Sequence, residues 1–144
     1  MRPLIMVLFL GSSLFAFSQP QQDVKKQIDS LVSFIRNKAT ESFASNTVYR
    51  GEDAKRKWKD VYNPANPEEL KAAKQTMEQL KKALEQCNYK EYDTFKQKTE
   101  SEGTWYVYTY ACGSAKKIHL AFLKIKGKYA LGDIDVEEED DDDD

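Results

Sequence analysis

The chain has 144 residues, with 22 basic and 24 acidic side chains, a net charge of −2 and 40% apolar residues. That length holds one domain able to bury a core without metal, and a single histidine with two cysteines offers too few ligands for a structural zinc site. The near-neutral total hides an asymmetry. From Gln19 to Val136 there are 21 basic and 16 acidic residues, a body of +5, followed by eight acidic residues from Glu137 to Asp144.

Residues 1–18 have the layout of a secretory leader. Arg2 supplies a positive start. Leu4 to Leu10 and Leu14 to Phe17 are apolar around Gly11, Ser12 and Ser13, and Ala16-Phe17-Ser18 offers the small-x-small pattern that signal peptidase cuts. The apolar stretch falls short of the roughly 20 residues of a spanning helix, and no later segment approaches that length. The expectation is a secreted or periplasmic protein cleaved near Ser18, with no transmembrane segment in the mature chain. No cysteine at the cut would carry a bacterial lipid anchor.

The mature body opens with Val24, Ile28, Leu31, Val32, Ile35, Ala39 and Phe43, spaced by threes and fours. This stripe predicts an amphipathic helix over about Gln22 to Phe43. A short extended piece follows at Thr47-Val48-Tyr49, and Asp53 as N-cap predicts a second helix to Tyr62, ended by Asn63-Pro64. Asn66, Pro67, Glu68 and Glu69 form the clearest start signal in the chain: a cap, a proline at the first helical position, and acids at the positive helix end. The stripe of that helix is Leu70, Ala73, Met77, Leu80 and Leu84, and Cys87 continues it. After Tyr89 the period changes to two. Strands are predicted between Tyr89 and Thr99, over Thr104 to Cys112, Lys117 to Lys126 and Tyr129 to Val136, separated by glycine-bearing turns.

Helices first and strands last predict an α+β domain, with two or three N-terminal helices on a C-terminal antiparallel meander of three or four strands. The domain spans 19–136, and residues 137–144 read as a solvated, disordered acidic tail. Within it, Asp133-x-Asp135-x-Glu137 starts like a calcium loop, but Glu138 stands where the required glycine belongs, so the EF-hand reading fails. In an exported protein, Cys87 and Cys112 read as one structural disulfide tying the capped helix to the sheet.

The element order and the closing pattern from Leu123 to Ile134, a hairpin turning at Gly127, resemble the NTF2-like and cystatin-like superfamilies of small exported proteins. That resemblance implies a curved sheet wrapped around a helix. Some NTF2-like enzymes use an acid and histidine pair, which makes His119 with Asp133, or with Asp135 of the same neighbouring strand, the enzymatic candidate, of isomerase or hydrolase type.

His119 lies among Ala121, Leu123 and Ile125 on one strand face, where a histidine is more often packed than catalytic. No nucleophile elbow, P-loop or dinucleotide fingerprint occurs, and no cofactor or metal is implied. The tyrosines are more informative. Tyr106, Tyr108, Tyr110 and Cys112 alternate with Trp105, Val107, Thr109 and Ala111, so both faces of that strand are largely apolar. With Cys112 bonded to the helix seam, the tyrosine face belongs under the helix and Trp105 with Val107 on the opposite side. Two apolar faces need two covers, the long first helix on one and the capped helix on the other, or else one face binds a ligand. The reading adopted is a non-enzymatic binder of a small apolar ligand, peptide or envelope component through Trp105, Tyr106, Tyr108 and Tyr110. The basic stretch Arg50, Lys55, Arg56, Lys57 with Trp58 offers an alternative, envelope docking by a basic helix. Export disfavours nucleic acid as its partner.

Overall fold

The computed structural model describes residues 18–87, 90–112 and 116–138. Residues 1–17 of the expected leader and residues 139–144 of the acidic run lie outside the described residues. Three helices precede a four-stranded antiparallel meander: α1 (Gln19–Arg36), α2 (Thr40–Ala44), α3 (Pro67–Glu85), β1 (Lys90–Glu100), β2 (Gly103–Cys112), β3 (Lys116–Ile125) and β4 (Lys128–Glu138), in sheet order β1-β2-β3-β4.

The first apolar stripe is real, but the single helix expected over it is two. Asn37 ends α1, and Lys38 takes a left-handed conformation with φ of 53°. There the amides of Lys38 and Ala39 close back on the carbonyls of Ile35 and Phe34, which satisfies the helix end as a left-handed cap does. The bend redirects α2 so that Phe43 and Ala44 are fully buried. Core packing therefore overrides a periodicity that by itself would have run straight on.

Helix α3 begins where expected. The Asn66 side chain accepts from the amides of Glu68 at 3.0 Å and Glu69 at 3.3 Å, satisfying two of the donors that every helix start leaves open. Ala73, Met77, Leu80 and Ala83 face inward. Just past its end, Cys87 is bonded to Cys112 at the end of β2, with Cα atoms 5.1 Å apart. The cross-link joins the end of α3 to the sheet it covers.

Both α1 and α3 lie on the same, front face of the sheet, which corrects the expectation of one helix on each face. Val24, Ile28 and Leu31 of α1, Phe43 of α2 and Met77, Leu80 and Ala83 of α3 pack there on Tyr108, Tyr110, Ile118, Leu120, Phe122, Leu131 and Ile134.

The helix expected over Asp53 to Tyr62 does not form. After one turn, in which the amides of Arg56 and Lys57 reach the Asp53 carbonyl, Trp58 leaves helical geometry with φ of 66°. The chain then folds back on itself: Val61 pairs with Val48, the Tyr49 amide donates to the Asp60 carbonyl, and Thr47 bridges to Leu131 of β4. This loop, not a helix, covers one end of the back face. There Val48 packs with Trp105, Leu123, Ile125 and Ala130.

Two further features shape the back face. The register of β3 on β4 slips after Ala121, so that Ala121 faces Asp133 while Phe122 faces Leu131, leaving Gly132 as a bulge. A side chain at Gly132 would come within 2.5 Å of the Trp105 ring, so glycine is what lets the indole lie against β4. In addition, β4 runs two residues into the acidic stretch, with Glu137 opposite Lys117 and Glu138 opposite Lys116. The first two residues of the expected tail are thus strand, because the lysines of β3 give them partners.

Candidate binding cleft

The tyrosines named from the sequence form core rather than surface. Tyr108 and Tyr110 are 1% and 5% exposed. Tyr106 is half-buried, stacked near Phe95 at 6.3 Å and edge-on to Tyr129 at 5.0 Å. The Tyr108 hydroxyl donates to the Asp93 carboxylate of β1. Burial and that bond raise its pKa, and burial pushes the Tyr110 phenol up to about 12. Both rings are therefore neutral, packed groups under α1 and α3.

Trp105 lies on the other face, and there the sheet is only partly covered. Beside the loop over residues 47–61 opens a cleft of about 410 Å3. Its floor is Trp105, Val107 and Ala121, its wall is Trp58, and its rim carries Arg50, Asp133, Lys98, Glu100 and Glu102. The indole N–H of Trp105 donates to Glu102 at 2.6 Å, which fixes the ring and holds the Glu102 carboxyl below its ordinary pKa. Trp58 meets Trp105 edge to face, with ring centroids 5.6 Å apart, a favourable arrangement for aromatic quadrupoles.

The wall is built under backbone strain. A bulky residue with positive φ is rare and costs of the order of 1 to 3 kcal/mol, so surrounding structure must impose it. At Trp58 the imposing contacts are its amide's bond to the Tyr49 carbonyl at 3.1 Å, the Trp105 ring, and Lys57 5.7 Å over its own ring. Across the mouth, Arg50 pairs with Asp133 at 3.5 Å, and Lys98 pairs with Glu100 at 2.7 Å. The result is an aromatic floor and wall meeting edge to face, with a rim of two cations, Arg50 and Lys98, and three carboxylates, Asp133, Glu100 and Glu102.

The basic stretch named from the sequence is divided by the fold. Arg56 is withdrawn into a buckle: it donates to Asp60 at 2.8 Å, to both Glu69 oxygens at 2.6 and 3.1 Å and to the Val61 carbonyl at 3.0 Å, while lying 4.2 Å over the Tyr49 ring. It ties the loop to the first turn of α3. Hydrogen bonds from Arg56 hold the carboxyls of Glu69 and Asp60 below their ordinary range, and the same bonds raise the guanidinium. Lys55 and Lys57 are exposed, while Arg50 and Trp58 belong to the cleft. These residues make no helix and no continuous cationic face.

His119 and Asp133 do not meet as a pair. His119 stands on the open part of the back face, its Nδ1 2.8 Å from the Thr109 hydroxyl and its Nε2 3.0 Å from Glu137. Its cross-strand neighbour is Asp135, whereas Asp133 faces Ala121 and is turned to Arg50. The sequence pattern missed Glu137 as the histidine's partner because the acidic run was read as tail. It missed the Arg50–Asp133 pair because the bulge at Gly132 shifts the register of β4. Among the described residues, no group of three or more His, Cys, Asp or Glu could hold a metal ion. No helix among them is long and apolar enough to cross a membrane. No protein-family model, no curated protein and no solved structure matches the chain.

Proposed function

We propose that this protein is exported and acts as a non-enzymatic binder, holding a small ligand or peptide by a flat apolar group in the Trp58–Trp105 cleft. The observation that carries the reading is the strained, preformed aromatic wall over an open concavity, with Arg50 and Asp133 on the rim placed to take the polar ends of a ligand lying on the Trp105 floor against Trp58. Clefts of this volume suit a single small ligand or a few residues of peptide. The Cys87–Cys112 bond supports an oxidising compartment. A long amphipathic helix laid across an antiparallel meander supports kinship with the NTF2-like or cystatin-like domains.

Trp58 and Trp105 are the two tryptophans of the chain, so intrinsic fluorescence reports directly on the cleft. Titration with short peptides carrying one aromatic residue, and with free indole and phenol as minimal probes, should shift or quench the emission saturably. Trp58→Ala with retained circular dichroism should weaken that binding about tenfold, the loss expected when a stacking partner goes. Emission unchanged by every probe to millimolar concentration would remove the proposal. Export is tested separately: mass spectrometry of secreted material should find Gln19 at the amino terminus.

A further inference from the structure

A second concavity lies on the opposite side of the molecule from the tryptophans. Helices α1 and α3 share the front face of the sheet but do not close on each other, and a groove of about 650 Å3 runs between them. Val32 and Ile35 of α1 and Met77 and Leu84 of α3 supply its apolar lining, and three of these, Val32, Ile35 and Leu84, are only half-buried. The rim is charged and unbalanced. It carries Arg36, Lys38, Lys74 and Lys81 against Glu78 and Glu85, all six exposed and none in an ion pair among the described residues.

One of these cations sits where a lysine is not the natural choice. Lys38 occupies the left-handed position after α1, a place that favours glycine or asparagine. Its side chain makes no hydrogen bond among the described residues that would compensate the strained backbone. The consequence of placing lysine there is a fourth positive charge at the mouth of the groove.

The occupant has to satisfy both features. The acidic run of this chain, Glu137 to Asp144, matches the charge but has no apolar side chain to cover the lining. A neutral apolar molecule covers the lining but leaves the cations without a partner. We propose that the groove binds a single-chain anionic amphiphile, a free long-chain carboxylate, with its hydrocarbon on Val32, Ile35, Met77 and Leu84 and its head group among the lysines of the rim. The volume lies within the range of small-molecule sites. This site is independent of the aromatic cleft, because neither tryptophan lines it.

The test is displacement of a fluorescent fatty acid from the purified protein by oleate below its micellar range, with oleyl alcohol and phosphatidylglycerol vesicles as comparators. Saturable one-to-one binding is expected, about tenfold weaker for oleyl alcohol and for the double variant Lys74→Glu/Lys81→Glu. Both lysines are exposed, so the variant should keep its circular dichroism. If it does not fold, amide chemical-shift mapping of oleate on the unaltered protein decides instead, and shifts should gather at Val32, Ile35 and Leu84. Equal affinity for oleyl alcohol, an unaffected double variant, or shifts confined to Trp58 and Trp105 would overturn the proposal. So would binding only to vesicles, or only to an acidic amphipathic peptide and not to oleate.

Discussion

On the front face of the sheet, two long helices bury a continuous apolar layer from Val24 to Leu80 against Tyr108, Leu120 and Phe122, and a disulfide anchors the outer end. On the back face the cover is a loop, its shape held by Arg56, by a strained Trp58 and by short bridges to Val61 and Leu131. The first arrangement derives stability from area and close packing; the second derives shape from directional bonds and leaves a cleft open. One sheet thus carries a sealed, stabilising side and a side left partly open. The difference arises because helices bury whole stripes, whereas a loop has too few apolar residues to seal a face.

If that division of labour is right, the largest loss should come from the front. Phe122→Ala removes a fully buried ring from the main core and should cost about 4 kcal/mol in urea unfolding. Replacing Cys87 and Cys112 by alanine frees a loop with a sequence separation of 25 and should cost about 3 to 4 kcal/mol in the chain-entropy model, read as a lower urea midpoint. Neither change touches a residue lining the cleft, so ligand-dependent tryptophan emission should survive wherever the protein remains folded. Loss of the emission response in fully folded disulfide-free protein would break the comparison.

The back face should respond less, and in a pH-dependent way. Arg56→Met removes a half-buried guanidinium with several charge-assisted bonds and should cost about 2 kcal/mol near neutral pH. Because Asp60 and Glu69 have depressed pKa values in the fold, their stabilising contribution is complete above the ordinary values of 3.8 and 4.5 and is lost as pH falls through the folded values. Urea titrations below about pH 4.5 should therefore show falling stability, with a shallower fall for Arg56→Met. An identical slope in both proteins would mean that the buckle does not govern the acid limb.

The smallest effect is expected at His119. Its ring bonds to Thr109 and Glu137 on the solvated part of the back face, and water can replace both partners. His119→Gln should change the urea midpoint by no more than the equivalent of about 0.5 kcal/mol and leave the tryptophan response unchanged. A large change in that response would connect the open part of the sheet to the cleft.

Much of this was written in local pattern. The Asn66-Pro67-Glu68-Glu69 start, the alternation of Tyr106 to Cys112 and the turn at Gly127 each depend on neighbours in sequence, and each stands in the structure as expected; the pairing of Cys87 with Cys112 followed from there being two cysteines, and it stands too. What no local pattern carried was which cover goes where. The stripe from Val24 to Phe43 continues through Asn37 and Lys38, yet the helix breaks there because Phe43 reaches the core only after a bend. Asp53 opens a turn that looks helical, yet pairing of Val61 with Val48 and closure over Trp105 draw the chain into a loop.

Sequence by itself therefore determined the α+β order and the two faces of β2, since periodicity and caps are properties of a few adjacent residues, and the cross-link, since two cysteines allow one intramolecular pairing. Tertiary structure alone decided that both helices share one face, and that Trp58 stands over Trp105 beside Arg50 and Asp133. Those outcomes depend on which distant surfaces meet, and the free energy of their contact outweighs the local preferences that would have continued a helix.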